Sequence, residues 1–352
     1  MHGKAKNSPK PKAVAAATIY DVARVAGVSK TTVSRVVNDD AAVSPETREQ
    51  VQKAIRSLRY TPNKAARSLA SQAEARIGLL YNNPSVAYFS ELLIGALESS
   101  SRHGVQLVVD KCEIGNPTAA RKAIQSMVSG GINGMLLTAP LSESTALIKN
   151  LSKSGIAIVA VATGRFRSDV CCVGIDDFAA AHEMTTYLIG LGHRHIGFVK
   201  GHPGHTSSKQ RYLGFCAALH EAGIDLMPEL VVQGYNSYRS GLTAGETLLD
   251  ACPTAIFAGN DDMASGVLSA AHRRGLVVPQ DLSVVGFDDT IAGSVWPELT
   301  TVRQPISEIG ARAIDVLIRD IGITRAGGLV TQENILIPHS LITRESASSP
   351  HG

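Results

Sequence analysis

Lys30, Thr31, Ser34 and Arg35 fall at spacings that place them on one face of a helix, with Val33, Val36 and Val37 on the other. Ammonium, hydroxyl and guanidinium groups gathered on one face can donate to phosphate oxygens and to base edges. An arginine there can hold a guanine through two parallel bonds, worth about 1–3 kcal/mol of discrimination against a wrong base. A second set of polar residues is scattered along the chain, each member following a short apolar run. Tyr88 and Phe89 stand in the segment after residues 76–81, and Asp176 follows residues 171–175. His205, Ser207 and Arg211 follow residues 195–200, Asn260 and Asp261 follow 255–259, and Asp288 and Asp289 follow 283–287. A carboxylate accepts from hydroxyls, an amide does both, and arginine donates in a planar fork. Together they suit a polyhydroxylated or otherwise polar small ligand. His205 is expected to touch it, and the two aromatics could stack on a ring or be core. A strand-end aspartate can instead cap the next helix, a role that Asp261 and Asp289 fit.

The elements that position the first set lie within residues 18–71. Residues 18–38 read TIYDVARVAGVSKTTVSRVVN. Ile19, Val22, Ala23 and Ala26 recur at helical spacing, Gly27 falls where a turn between crossed helices wants no Cβ, and Ser29 can cap a second helix from Lys30 to about Asn38. Ser44, Pro45 and Glu46 open a third helix whose apolar stripe is Val51, Ala54, Ile55 and Leu58. Pro62 ends it, and residues 63–70 are too few to hold a helix by themselves. There Ala66 and Ala70 are small enough for another helix to approach, and Leu69 could insert as a minor-groove wedge. The plainer alternative is an inter-domain linker. Residues 1–70 carry 13 Lys and Arg against 5 Asp and Glu, a net of +8; the remainder of the chain's 34 and 31 is 21 against 26, a net of −5. The whole-chain +3 hides a basic head that attracts phosphate and an acidic body that does not.

Residues 76–340 alternate apolar runs with amphipathic stretches, which predicts parallel doubly wound sheets, two of them over this length. The strands are expected at residues 76–81, 105–109, 134–138, 156–161, 195–200, 255–259 and 283–287. Helices are expected at 89–103, 117–129, 178–191, 210–222, 262–274 and 306–321. Ligands of such sheets bind beyond the carboxyl ends of the strands, where the second polar set falls.

Residues 18–71 closely resemble the DNA-binding head of the lactose/galactose repressor family (LacI/GalR), and the similarity runs to about residue 344. The resemblance implies a homodimeric or tetrameric bacterial transcription factor, most often a repressor, on double-stranded operator DNA. It implies that Lys30, Thr31 and Arg35 face base edges, and that Thr18, Tyr20, Ser29, Ser34, Asn38, Ser44 and Thr47 contact phosphates. Asn63, Ala66, Arg67, Leu69 and Ala70 would form a hinge helix that pairs with its copy in the minor groove. The body would be a two-lobed, periplasmic-binding-protein-like domain crossed three times by the chain, near residues 173–176, 301–305 and 332–336. Its cleft would take a sugar-like effector through Tyr88, Phe89, Asp176, His205, Ser207, Arg211, Asn260 and Asp288. Where relatives often carry a cleft aromatic, this chain has Asn236 beside Tyr235, so either Tyr235 substitutes or the ligand differs.

Other classes lack their signatures. No phosphate-binding GxxxxGK[ST], no GxGxxG and no GxSxG occurs, so an enzyme is not expected. A periplasmic transport protein would need a signal peptide and no DNA-binding head. The open alternative is the same regulator with a vestigial cleft, or one gated by a partner protein. His182, His193, His195, His202 and His205 do not form a compact zinc pattern, and neither metal nor cofactor is expected. Cys112, Cys171, Cys172, Cys216 and Cys252 follow no disulfide spacing and predict reduced thiols. Residues 1–17 lack the apolar core of a signal peptide and no run reaches membrane-span length, which predicts a cytoplasmic protein without membrane contact. The expected layout is a disordered basic arm (1–17), a helix-turn-helix domain (18–61), a hinge and linker (62–75), a two-lobed effector and dimerisation domain (76–344) and a disordered tail (345–352).

Overall fold

A computed structural model describes residues 17–37, 43–58, 60, 75–81, 83–112, 116–165 and 167–350. The chain divides into two compact units, one up to Glu74 and one from Ala75. In the first, α1 (Ile19–Ala26), α2 (Lys30–Val37) and α3 (Pro45–Ser57) surround a small core of Val22, Ala23, Val33, Val36, Val51 and Ala54. The starts of all three are fixed by side-chain caps. Thr18 forms a reciprocal capping box with Asp21, Ser29 Oγ accepts from Thr32 N at 3.1 Å, and Ser44 Oγ accepts from Thr47 N at 3.3 Å. Gly27 ends α1 at φ 66°, the left-handed region, and a Cβ built on it would meet nothing within 4 Å. Glycine is therefore needed there for its backbone angle, and not for space.

The second unit holds two six-stranded sheets. The first contains β1 (Arg76–Tyr81), β2 (Gln106–Lys111), β3 (Gly134–Leu137), β4 (Ala157–Val161), β5 (Cys171–Gly174) and β11 (Asn334–Leu336), in the order β11-β5-β4-β3-β1-β2, all parallel. The second contains β6 (Ile196–Lys200), β7 (Val231–Gln233), β8 (Ala255–Ala258), β9 (Ser283–Asp288), β10 (Thr300–Arg303) and β12 (Ser340–Ile342), in the order β12-β10-β9-β8-β6-β7, with only β12 antiparallel. Met135, Leu136 and Leu137 are all fully buried, as consecutive residues must be in a strand covered on both faces. The covering helices are α4 (Val86–His103), α5 (Pro117–Ser129), α6 (Thr145–Lys153), α7 (Asp177–Gly190), α8 (Thr206–Glu221), α9 (Tyr238–Leu248), α10 (Asp261–Arg273) and α11 (Ile306–Arg325).

The two parallel-dominated sheets agree with the sequence-based expectation. Differences lie where local signal is weakest. Helices α6 and α9 and strands β5, β7, β10, β11 and β12 are not among the expected elements; these strands are only three or four residues long, too short to show periodicity. The chain passes between the sheets at residues 175–176, 304–305 and 337–339. The last crossing comes later than the expected 332–336, because Asn334–Leu336 pairs with Cys172–Gly174 and must stay in the first lobe. Of the expected tail, residues 345–350 are docked and not free. Ser346 is fully buried, its O accepts from Val284 N at 2.8 Å, and its Oγ accepts from Thr300 N at 2.8 Å. Residues 1–16, Asn38 and the whole of 61–74 lie outside the described residues, so the arm and the hinge residues Asn63, Ala66, Arg67, Leu69 and Ala70 receive no structural account.

Candidate functional site

On the head, Thr31 and Arg35 are exposed one turn apart on α2, and Ser34 beside them is half-buried. Lys30 Nζ donates to Tyr20 Oη at 3.3 Å and lies 5.1 Å from the centre of that ring, which orders both side chains on one face. Tyr20 is 64% exposed. Thr18, Ser29 and Ser44, three of the residues expected at phosphates, are the caps of the three helices. Helix N-termini offer free N–H groups and a favourable dipole to anions, so these ends suit a phosphate backbone.

The second candidate site lies between the sheets of the body. Asn83, Ser85, Tyr88 and Ala162 from the first lobe and Ser207, Ser208, Arg211, Asn236, Asn260 and Asp288 from the second enclose a cavity of about 30 Å³. Arg211 on α8 is buried and held on several sides. Its Nε donates to Asp177 Oδ1 at 2.8 Å, its Nη1 to Gly259 O at 2.6 Å and to Asp288 Oδ1 at 3.3 Å, and its guanidinium lies 3.7 Å from the centre of the Phe287 ring. Gln304 Nε2 adds a bond to Asp288 Oδ1 at 2.5 Å. Burial raises the Asp288 carboxyl to about 7 against the pull of Arg211 and Gln304. Asp288 also adopts φ 109°, a left-handed angle rarely taken by a residue with a side chain. The Tyr88 hydroxyl is buried without a hydrogen-bond partner among the described residues, and burial keeps it protonated.

Several expected contacts fall elsewhere. Asp176 is exposed and caps α7 through Ala179 N at 2.9 Å; the buried carboxylate is its neighbour Asp177, which sequence reasoning missed. The two adjacent acids look alike in sequence, and only the N-cap geometry turns the first out and the second in. Phe89 stacks on Tyr81 with ring centres 3.8 Å apart and does not line the cavity. His205 is buried beside Asn236, 3.4 Å from its Nδ2, outside the cavity lining, and burial lowers it to about 4. Asn236 lines the cavity, while Tyr235 is about half exposed and faces His202 edge-on. The α10 cap is Asn260, not Asp261; Asp261 is fully buried and accepts from Thr301 Oγ1 at 2.7 Å and Thr290 N at 2.8 Å. Asp289 starts no helix and pairs with Arg303 and Arg344. Tyr88, Ser207, Arg211, Asn260 and Asp288 all line the one cavity.

The lobes also touch beside the cavity. Glu143, on a short turn of the first lobe, accepts through Oε1 from Thr206 N at 3.1 Å and from Thr206 Oγ1, at the start of α8 in the second lobe. Near it the Asp262 carboxyl of α10 is raised by burial, against the pull of Ser85 from the first lobe. No group of three or more His, Cys, Asp or Glu among the described residues is placed to hold a metal, and no described helix is long and apolar enough to cross a membrane.

A three-helix head with Lys30, Thr31 and Arg35 on its second helix, followed by a two-sheet body with a polar inter-lobe cavity, is the architecture of a DNA-binding transcriptional regulator. The family model for bacterial regulatory proteins of the lacI family matches residues 18–63, and that for a periplasmic binding protein-like domain matches residues 185–347. The HTH-type transcriptional regulator DegA of Bacillus subtilis is 34% identical over 94% of this chain and 98% of its own length, and catabolite control protein A of Priestia megaterium is 34% identical over the same shares. The chain belongs to the lacI family of bacterial regulatory proteins. Among solved structures, a complex of the transcriptional regulator CelR with cellobiose matches with a TM-score of 0.71 and 28% identity, covering 94% of this chain and 99% of the other. The lac repressor dimer bound to operator and an anti-inducer matches over the same shares with a TM-score of 0.70 and 28% identity.

Proposed function

We propose that this chain is a cytoplasmic repressor that binds a palindromic operator as a dimer and is controlled by a small polar, sugar-like effector held between the lobes of its body. The observation that carries the effector reading is the convergence of Arg211, Asp288, Asn260 and the unpartnered Tyr88 hydroxyl on one buried cavity. Buried polar groups are expensive to leave unsatisfied, and a polyol offers donors and acceptors to match them. Small-ligand pockets occupy roughly 300–1,000 Å³, whereas this cavity measures about 30 Å³. Binding therefore requires the lobes to part, and a ligand that favours one lobe spacing shifts the population of head arrangements.

Dimerisation is supported by an apolar patch on the second lobe, where Trp296 is 82% exposed beside exposed Val277 and Tyr238. A solved relative is a dimer on its operator. In this reading Lys30, Thr31 and Arg35 meet base edges. Thr18, Tyr20, Ser29, Ser34, Asn38, Ser44 and Thr47 meet phosphates, and Asn63, Ala66, Arg67, Leu69 and Ala70 form the hinge with Leu69 as its wedge.

The test measures operator affinity of the full chain across a panel of sugars. A shift with at least one sugar supports the effector reading. Intact operator binding with no response to any of them overturns it in favour of a vestigial cleft or a protein-gated one. Leu69→Gly is expected to lose specific operator affinity while salt-sensitive binding persists; unchanged specific affinity removes the wedge role.

A further inference from the structure

Three helix pairs of the body meet backbone against backbone. In the first lobe, a Cβ on Gly95 of α4 would strike the Ser307 backbone of α11, and one on Gly310 of α11 would strike the Leu92 carbonyl of α4. In the second lobe, Gly214 brings α8 against the Phe178 carbonyl of α7, and Gly241 and Gly266 do the same for α9 and α10. The remaining pair, α5 and α6, has no glycine in either helix. Both lie on one face of the first sheet, where Ile124, Ile148 and Leu151 share a core with Leu80 and Leu137. Above that core the two helices stay apart, and a groove of about 380 Å³ runs between them.

The groove has an apolar floor, made by Ala120, Ile124, Leu147 and Leu151, and a polar rim that includes Arg121 and Asn150. Its charge has one sign. Helices α5 and α6 carry Arg121, Lys122, Lys149 and Lys153 and no Asp or Glu, a local +4 on a body whose net charge is −5. All four cations are exposed. Two carboxylates that lie near the pair are already engaged. Arg167 holds both oxygens of Asp169 at 2.8 Å, and Glu143 accepts from Thr206 N at 3.1 Å. The groove shares no lining residue with the inter-lobe cavity.

We propose that this groove is a second ligand site, which takes a small amphipathic anion: an apolar chain along the floor and a carboxylate, sulfate or phosphate head at Arg121. The floor supplies the hydrophobic drive, and a rim with cations alone selects the sign of the head. Size favours a small molecule over a protein. The volume of about 380 Å³ falls at the lower end of the roughly 300–1,000 Å³ of small-ligand pockets. Thirteen residues line the groove, against the roughly 20–30 a side of a stable protein interface. The site is independent of the effector reading above, because it lies on a different surface of the first lobe.

The test is isothermal titration of the full-length protein with decanoate, decanol and decyltrimethylammonium, each below its micelle concentration. Decanoate is expected to bind at one site per chain, roughly tenfold more tightly than the neutral and cationic analogues. From hexanoate to decanoate, affinity should rise up to about fourfold per methylene, the fold-change that about 0.8 kcal/mol per buried CH₂ represents. Arg121→Glu should remove the preference for decanoate over decanol and leave decanol binding unchanged. Ala146→Trp, which fills the groove from an exposed position, should weaken both ligands, with the melting temperature of each variant confirming the fold. No saturable binding of decanoate overturns the proposal, as does equal affinity for the three head groups. Decanoate binding unchanged in both variants overturns it by placing the ligand elsewhere. Binding of an acidic amphipathic helical peptide, with none of decanoate, overturns it in favour of a protein partner.

Discussion

Arg211 Nε donates to Asp177 Oδ1 at 2.8 Å, tying α8 to the first turn of α7 inside the second lobe. Both side chains are buried, and Asp288 shares the same guanidinium. Removing one partner of a buried ion pair leaves an uncompensated charge, at a cost of about 3–5 kcal/mol. Arg211→Ala is therefore expected to abolish the effector response and also to lower the urea midpoint of the body. Adding Asp177→Asn should recover part of that loss. Equal midpoints for Arg211→Ala and the parent would show that the pair contributes nothing to stability.

The cleft gives the fold two opposing proton linkages. Asp288 is raised from 3.8 to about 7 by burial, so its contribution is full below about pH 4 and lost as pH rises through 7. His205 is lowered from 6.5 to about 4 by burial, so its contribution is present above pH 6.5 and lost as pH falls through 4. Between those limits the two offset each other. Asp288→Asn removes only the first, so the fall in melting temperature between about pH 7 and about pH 5 should be larger in the variant than in the parent. Parallel profiles of the two proteins would refute the Asp288 assignment.

At Gly164 the backbone of one lobe lies directly against that of the other. A Cβ added there would collide with the backbone of Thr206 and Ser207 across the cleft, which cannot yield as a side-chain tip can. Gly164→Ala should hold the lobes apart, lengthen the Glu143–Thr206 contact and cost about 1–3 kcal/mol, the usual range for overpacking. Small-angle scattering should report a larger radius of gyration for the variant, accompanied by a lower melting temperature. No change in either would mean that the closed spacing is not enforced at Gly164.

In the head, the capping box between Thr18 and Asp21 fixes the start of α1. Thr18→Ala should cost about 1 kcal/mol of head stability, and Thr18→Ser should restore most of it. Amide exchange at residues 19–22 is the direct readout, with faster exchange expected in the alanine variant alone. Operator affinity should fall with it, because α1 carries Tyr20 and supports Lys30.

Much of the molecule was legible in the residues because local physics writes it there. The caps Ser29 and Ser44, the turn at Gly27 and the buried runs of the long strands each follow from a few neighbouring residues, while the Thr18 cap was seen only in the structure. The head's cationic face and the placing of Asn260 and Asp288 at strand ends were legible too, whereas their meeting with Arg211 needed the tertiary fold. Tertiary structure alone decided which of two adjacent acids, Asp176 or Asp177, reaches Arg211. It alone drew Ser346 into the core beside Val284 and Thr300, and set Glu143 on the α8 terminus 63 residues away. Periodicity and capping depend on residues a few positions apart, so the sequence carries them openly. Contacts across the cleft depend on how two sheets are placed, which no short segment encodes.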